Sequence, residues 1–368
     1  MSVLDWFPLF DPIAMKFITK TAGILFVFSL LGLPGGVRYL CARAQEVSAA
    51  QLLEDAQSSL HRGDWAAAVP LLEQALTKEP KHKGARSALI STLVRLNRTA
   101  EAEKHAQLFA EHFPQETEPV FLRALIAFQQ GQIPRVAELT AQCLKRGDAR
   151  AEVYKLSAIA EYLLGNQEKF VTHIHAAIGQ NPKDADAHYH LGRHYFEIKR
   201  YNDALASFQT VHQIQPDHYK SHYYAGLVYE GQNEMEKAKE QYRAAIQTID
   251  RMKIRYAWPF TDLGKLLANE GDLDRGVGWL YRAVRNDPSS PHAWYGYAKA
   301  LFQKEASPEV KDALNQAIRL DPGYTEAYYL LARFYQKTGE QQLAKETFAK
   351  FDELKKNPAP SPFGLRRW

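Results

Sequence analysis

The chain has 368 residues, 46% of them hydrophobic, which is ample for a continuous core. Its formal net charge of +4 is small for that length and leaves a nucleic-acid footprint unsupported. Aromatic residues are rich at 12%, with 19 tyrosines, and there are two cysteines, Cys41 and Cys143.

The amino-terminal segment comes first in chain order. Lys16 and Lys20 precede an apolar run over residues 22–33, Pro34-Gly-Gly36 breaks it, and Ala42-Arg43-Ala44 follows as a small-x-small site before Gln45. A basic start, a short apolar core and such a site read as a secretory signal peptide over residues 1–44. Residues 1–14 are an unusual apolar and acidic prefix, and a true start at Met15 restores an ordinary signal length. The alternative is an uncleaved anchor through residues 22–33, although twelve residues are short for a bilayer span. Both readings export the rest of the chain, with a bacterial periplasm or cell envelope as the expected setting.

Beyond residue 45 the prolines keep time. Pro80 and Pro114 set an interval, Pro182 follows at twice that interval, and Pro216 comes one interval later. From there Pro288 lies two intervals and four positions on, and Pro322 closes one interval more. A fixed period in this range marks a solenoid built from one repeated supersecondary unit. Each unit reads as two short amphipathic helices, with Gly63, Gly131, Gly165, Gly271 and Gly339 at the turn inside the unit. Proline stops the second helix because it cannot extend the hydrogen-bond ladder. Nine units are expected, near 49–82, 83–116, 117–150, 151–184, 185–218, 219–252 plus an insertion, 257–290, 291–324 and 325–358. They make one elongated domain over 45–358, and the proline-rich tail 359–368 frays or caps the last helix through Phe363, Leu365 and Trp368.

Other residues fall into the same step. One unit reads His188-x2-Leu191-Gly192-x2-Tyr195, then Ala204-x3-Phe208, then Pro216. The next has His222-x2-Ala225-Gly226-x2-Tyr229 with Ala238-x3-Tyr242, and the last has Tyr328-x2-Leu331-Ala332-x2-Tyr335 with Ala344-x3-Phe348. This pattern resembles the tetratricopeptide repeat, with His188 in the slot usually given to tryptophan. The unit from Glu118 to Gly147 is the loosest, since no proline closes it. The resemblance covers most of the chain and implies an all-α, right-handed superhelical solenoid that acts as a non-enzymatic scaffold or adaptor.

The resemblance also implies that the first helices face a concave groove. On that face the register puts Tyr189, Arg193, Tyr223, Trp258, Lys265, Tyr295, Lys299, Phe302, Tyr329 and Arg333. Rings offer flat contact area at low entropy cost, and the cations bond carbonyls or carboxylates, so a protein or peptide segment is the expected ligand. Related proteins that bind chaperone tails use a Lys/Asn clamp; here Lys155 matches the lysine but Ile159 replaces the asparagine, so that activity is not carried over.

The remaining features are weighed against simpler readings. His190 and His194 lie four apart on one helix and are the candidates for a metal, but no carboxylate or cysteine completes a motif. Nothing else argues for catalysis, and no cofactor is implied. Cys143 occupies a slot filled elsewhere by alanine and reads as a small buried hydrophobe, with a reactive thiol as the sharper alternative. The insertion between Gln247 and Trp258 is either a longer connection or a basic lip beside the groove. A membrane-anchored envelope assembly factor is the runner-up function, and a metal-dependent enzyme the third.

Overall fold

The computed structural model describes residues 47–356, and over that span there are eighteen α-helices and no strand. Their contacts sort into two compact units that divide after Asn181, where the sequence reads as one domain. The first unit holds α1 (Ala49–His61), α2 (Trp65–Lys78), α3 (Lys83–Arg95), α4 (Thr99–His112), α5 (Glu118–Gln129), α6 (Ile133–Lys145), α7 (Ala151–Leu163) and α8 (Gln167–Gln180). The second holds α9 (Ala185–Glu197), α10 (Tyr201–Ile214), α11 (Tyr219–Gly231), α12 (Met235–Met252), α13 (Trp258–Asn269) and α14 (Leu273–Asn286). It continues through α15 (Pro291–Lys304), α16 (Pro308–Leu320), α17 (Thr325–Thr338) and α18 (Gln341–Lys356). The leader, Cys41 and the tail lie outside the described residues.

Each odd-numbered helix packs on the helix that follows it, and each even-numbered helix within a unit packs on the next first helix. A pair therefore cannot hide its apolar surface alone; it needs its neighbouring pairs. The turn inside a pair is a left-handed residue just past the first helix. Glycine fills it at five of the nine turns, as the sequence implies, but Asn97, Lys199 and Asn233 hold the same place with φ of 59°, 59° and 63°. Around Lys199 the amide of Arg200 donates to the Tyr195 carbonyl at 2.8 Å, closing the helix in a Schellman arrangement. Asparagine tolerates this conformation, whereas for lysine it costs about 1 kcal/mol. The pair α15–α16 departs: Glu305 is extended, and Pro308 opens α16.

The prolines act two residues beyond the second helices. After α2, α4, α8, α10, α14 and α16 comes one cap residue, whose amide still bonds the carbonyl four back, and then Pro80, Pro114, Pro182, Pro216, Pro288 or Pro322. The freed proline carbonyl is used again. Arg86 Nη2 donates to Pro80 O at 2.6 Å, and Trp294 Nε1 to Pro288 O at 2.9 Å. His188 and His222 bond Pro182 O and Pro216 O through Nε2 at 3.0 and 3.2 Å. In these four repeats the residue six after the proline caps its carbonyl with a polar tip, a role histidine and arginine fill as well as tryptophan; after Pro114 the slot holds Val120, which cannot. The third pair has no such proline; Gly147, with φ of 86°, ends it instead.

Within pairs, small residues set how closely helices approach. At Gly192 and Gly226 the space for a side chain is filled by the rings of Phe208 and Tyr242. At Gly264 and Gly276 the two backbones themselves meet, each carbonyl standing within 2.9 Å of where the other's Cβ would be. Cys143 is fully buried, donates to Thr117 O at 3.8 Å, and has its thiol pushed up to about 11 by burial and by the charge of Asp148. That makes it a packed hydrophobe rather than a reactive thiol. The insertion goes mainly into an extra turn of α12, and two of its three cations are paired, Arg251 with Asp217 at 2.5 Å and Arg255 with Asp287 at 3.4 Å, while Lys253, the left-handed residue that ends the helix, is exposed. It is chiefly a lengthened helix, with most of its charge neutralised by neighbouring carboxylates.

The glycine contacts give opposite expectations for one substitution. Gly264→Ala meets backbone that cannot retreat and should cost about 2 kcal/mol or more. Gly278→Ala, in the middle of α14 with nothing within 4 Å, should stabilise by roughly 0.5–1 kcal/mol. Denaturant titration of the two variants checks both signs.

Candidate functional site

The second unit presents one layer of first helices, since α9 packs on α11, α13 on α15 and α15 on α17. Side chains in equivalent slots of these helices should line one face; eight of the ten sequence-selected residues share two such slots, and Trp258 at the start of α13 and Phe302 near the end of α15 border them. The structure divides them into three groups.

At the amino-terminal end Tyr189, Arg193 and Tyr223 are 6%, 2% and 1% exposed. These three were expected on an open groove and are instead packed. The Arg193 guanidinium sits 5.7 Å from the Tyr189 ring and 5.3 Å from the Tyr224 ring, with Glu197 at 3.8 Å. Tyr189 is packed by His218 at 4.9 Å and Tyr224 at 5.8 Å, and the connection after α12 brings Tyr256 over α11, in edge contact with Tyr219 at 5.3 Å and Tyr223 at 5.7 Å. Burial raises the hydroxyl pKa of Tyr189, Tyr223 and Tyr256 well above the usual tyrosine value, so these stay neutral.

The middle of the face is a hydrogen-bonded chain that includes residues the sequence did not single out. Asp262 on α13 is 7% exposed. Tyr223 Oη donates to its Oδ2 at 2.8 Å, and Lys265 Nζ donates to its Oδ1 at 3.4 Å. Lys265 also reaches His292 Nε2 at 2.7 Å. Since an ammonium only donates, that nitrogen must accept, which leaves the proton on Nδ1 to meet Tyr324 Oη at 3.3 Å. Trp258 stacks on the His292 ring at 4.4 Å. Burial alone would raise the Asp262 carboxyl, but the Lys265 charge and the Tyr223 bond outweigh it and hold it well below the usual range.

At the carboxyl-terminal end the face opens. Tyr295 is half-buried against Tyr324 at 5.2 Å, and Phe302 lies between Phe334 at 6.2 Å and the Lys337 ammonium at 5.0 Å. Tyr329 is 43% exposed, with Phe351 at 5.3 Å behind it. Lys299 and Arg333 are exposed. The part of this face left open to solvent therefore lies between Trp258 and Arg333 and omits the first three residues.

The histidines considered for a metal are core residues. His190 and His194 are 8% and 4% exposed, and burial lowers the His194 pKa below its ordinary value. Among the described residues no group of three or more His, Cys, Asp or Glu side chains is arranged so that it could hold a metal ion. Also among them, no helix is long and apolar enough to cross a membrane.

Asp262 and His292 were missed although a signal existed: His292 stands one full repeat after Trp258, in its slot, and Asp262 lies one turn before Lys265. Replacing Asp262 by Asn should lower stability by about 2 kcal/mol at neutral pH, because the Lys265 ammonium loses its buried anion and the Tyr223 hydroxyl its charged acceptor. The carboxyl has a lower pKa folded than unfolded, so its contribution is full above about pH 5 and fades as pH falls toward the folded value. The gap between the denaturant midpoints of the two proteins should therefore narrow from neutral pH toward the acid end; a constant gap would contradict this account.

Comparison with known proteins adds a family. Models described as tetratricopeptide repeat match residues 59–126, 185–218, 219–248, 261–309 and 313–346. Superkiller protein 3 of Schizosaccharomyces pombe is 23% identical over 239 residues, covering 60% of this chain and 17% of its own length. Human protein O-mannosyl-transferase TMTC3 is 23% identical over 197 residues, covering 49% and 21%. The chain thus spans only about a fifth of these relatives. Among solved structures, the Cut9–Hcn1 hetero-tetramer of the APC/C aligns over 80% of this chain and 57% of the matched chain, with TM-score 0.60 at 12% identity, which shows the fold alone.

Proposed function

Because the chain belongs to the tetratricopeptide repeat proteins, we propose that it is a non-enzymatic scaffold that holds a segment of a partner protein on the first-helix face of α13, α15 and α17. One observation carries this reading. Beside a rigid hydrogen-bonded chain of Asp262, Lys265 and His292, the same face leaves Tyr329, Lys299 and Arg333 turned to solvent. An aromatic ring such as Tyr329, backed by Phe351, offers flat contact area at low entropy cost, and exposed cations beside it can bond a partner's carbonyls or carboxylates, which is what a recognition surface requires.

The partner face is shorter than the sequence alone implies. It excludes Tyr189, Arg193 and Tyr223, whose burial makes them supports for α9 and α11. The double variant Tyr295→Ala with Tyr329→Ala should weaken capture of crosslinked partners at least fivefold relative to the unaltered protein, with the melting temperature within a few degrees. Lys345→Glu, an exposed change on α18, serves as the control. Equal capture by all three proteins would remove the site from this face.

Export is a further part of the proposal and rests on the residues 16–44 pattern. Amino-terminal sequencing of the protein from its native cell should begin at Gln45. A chain retaining residues 22–33 and resisting carbonate extraction would replace secretion with anchorage.

A further inference from the structure

One slot of the open face carries the same charge three times. Lys265 on α13, Lys299 on α15 and Arg333 on α17 stand exactly one repeat apart in succession. Because α13 packs on α15 and α15 on α17, the three cations form a row that crosses the helices. Lys265 is held in place by Asp262 and His292 at 3.4 and 2.7 Å, leaving one ammonium hydrogen over. Lys299 and Arg333 are exposed and make no hydrogen bond or ion pair among the described residues. The carboxylates on this face do not cancel the row. Asp262 is already shared by Tyr223 and Lys265, and Glu326 stands two turns away from Arg333 at the start of α17.

The spacing of the row selects a conformation in the partner. Packed helix axes lie about 8–10 Å apart. A polyproline II segment rises about 3.1 Å per residue with three residues per turn, so every third side chain returns to the same side after about 9 Å. A β-strand alternates its side chains and would turn every second third-residue group away. The half-buried rings of Tyr295 and Phe302 and the exposed Tyr329 border the row, and flat rings are what the spacer residues of a polyproline segment pack on.

We propose that α13, α15 and α17 form a docking row for an acidic, extended partner segment with a carboxylate at every third residue, one each for Lys265, Lys299 and Arg333. This rests on the groove reading above and names its ligand. Each exposed pair contributes weakly, so the preference is expected to show at low ionic strength and to fade with salt.

The test uses fluorescence anisotropy with the full chain and a labelled peptide of three Glu-Pro-Ala repeats. An isomeric peptide with the three glutamates adjacent is the spacing control. The spaced peptide should bind at least threefold more tightly than the clustered one. Lys299→Glu with Arg333→Glu should weaken it tenfold or more and gain affinity for the Lys-Pro-Ala version, while Lys345→Glu leaves it unchanged. Circular dichroism melts of the variants establish that they fold. Equal binding of spaced and clustered peptides overturns the inference, as does tighter binding of a poly(U) oligonucleotide. If that happens while Tyr295→Ala with Tyr329→Ala still loses partner capture, only the acidic ligand falls; if capture is also unaffected, the face itself falls.

Discussion

The constraint on which the rest depends is that no helix pair here can bury its own apolar surface. In α5 and α13 eight of twelve residues are buried, on nearly all sides of the helix. Such a helix must be covered by its own partner, by the pair before and by the pair after. The demand fixes a common length for the pairs, because a neighbour of a different length would leave carbonyls and apolar side chains uncovered. The left-handed residue after most first helices and the proline two residues beyond most second helices are the local devices that keep the length constant.

A constant length makes a surface out of sequence intervals. Residues in the same slot of successive pairs fall in line across the face, so the one-repeat step from Lys265 to Lys299 to Arg333 becomes a spatial row. The same step takes Trp258 to His292, and there the slot is used for a stack rather than a charge. Periodicity supplies the alignment, and the identity of each residue decides whether its slot serves the core or the solvent.

How much was legible follows from how local each cause is. The proline interval and the glycine turns announced an all-α stack of helix pairs, because proline and glycine act on their own backbone. Asn97, Lys199 and Asn233 did not announce themselves, since what puts them in the left-handed region is the length of the pair around them. Nor did the burial of Tyr189, Arg193 and Tyr223: their slots are those of groove residues, and what covers them comes from outside their own helices, His218 and Tyr224 on Tyr189 and Tyr256 on Tyr223. The Asp262 network joins α11, α13, α15 and Tyr324 before α17, so no single stretch of sequence contains it.

The lengthened α12 therefore decides what the second unit's face can do. Without its extra turn, the connection to α13 would be short and Tyr256 would have no way to reach Tyr219 and Tyr223. With it, α9 and α11 become a closed tyrosine block around Arg193, and the Tyr223 hydroxyl at the edge of that block anchors Asp262. Asp262 in turn fixes Lys265, so the first cation of the row is oriented by a packed core rather than by solvent. The break in the repeat period thus falls between a packed part of the face and a part left open to solvent, and Asp262 ties the two together through one carboxylate.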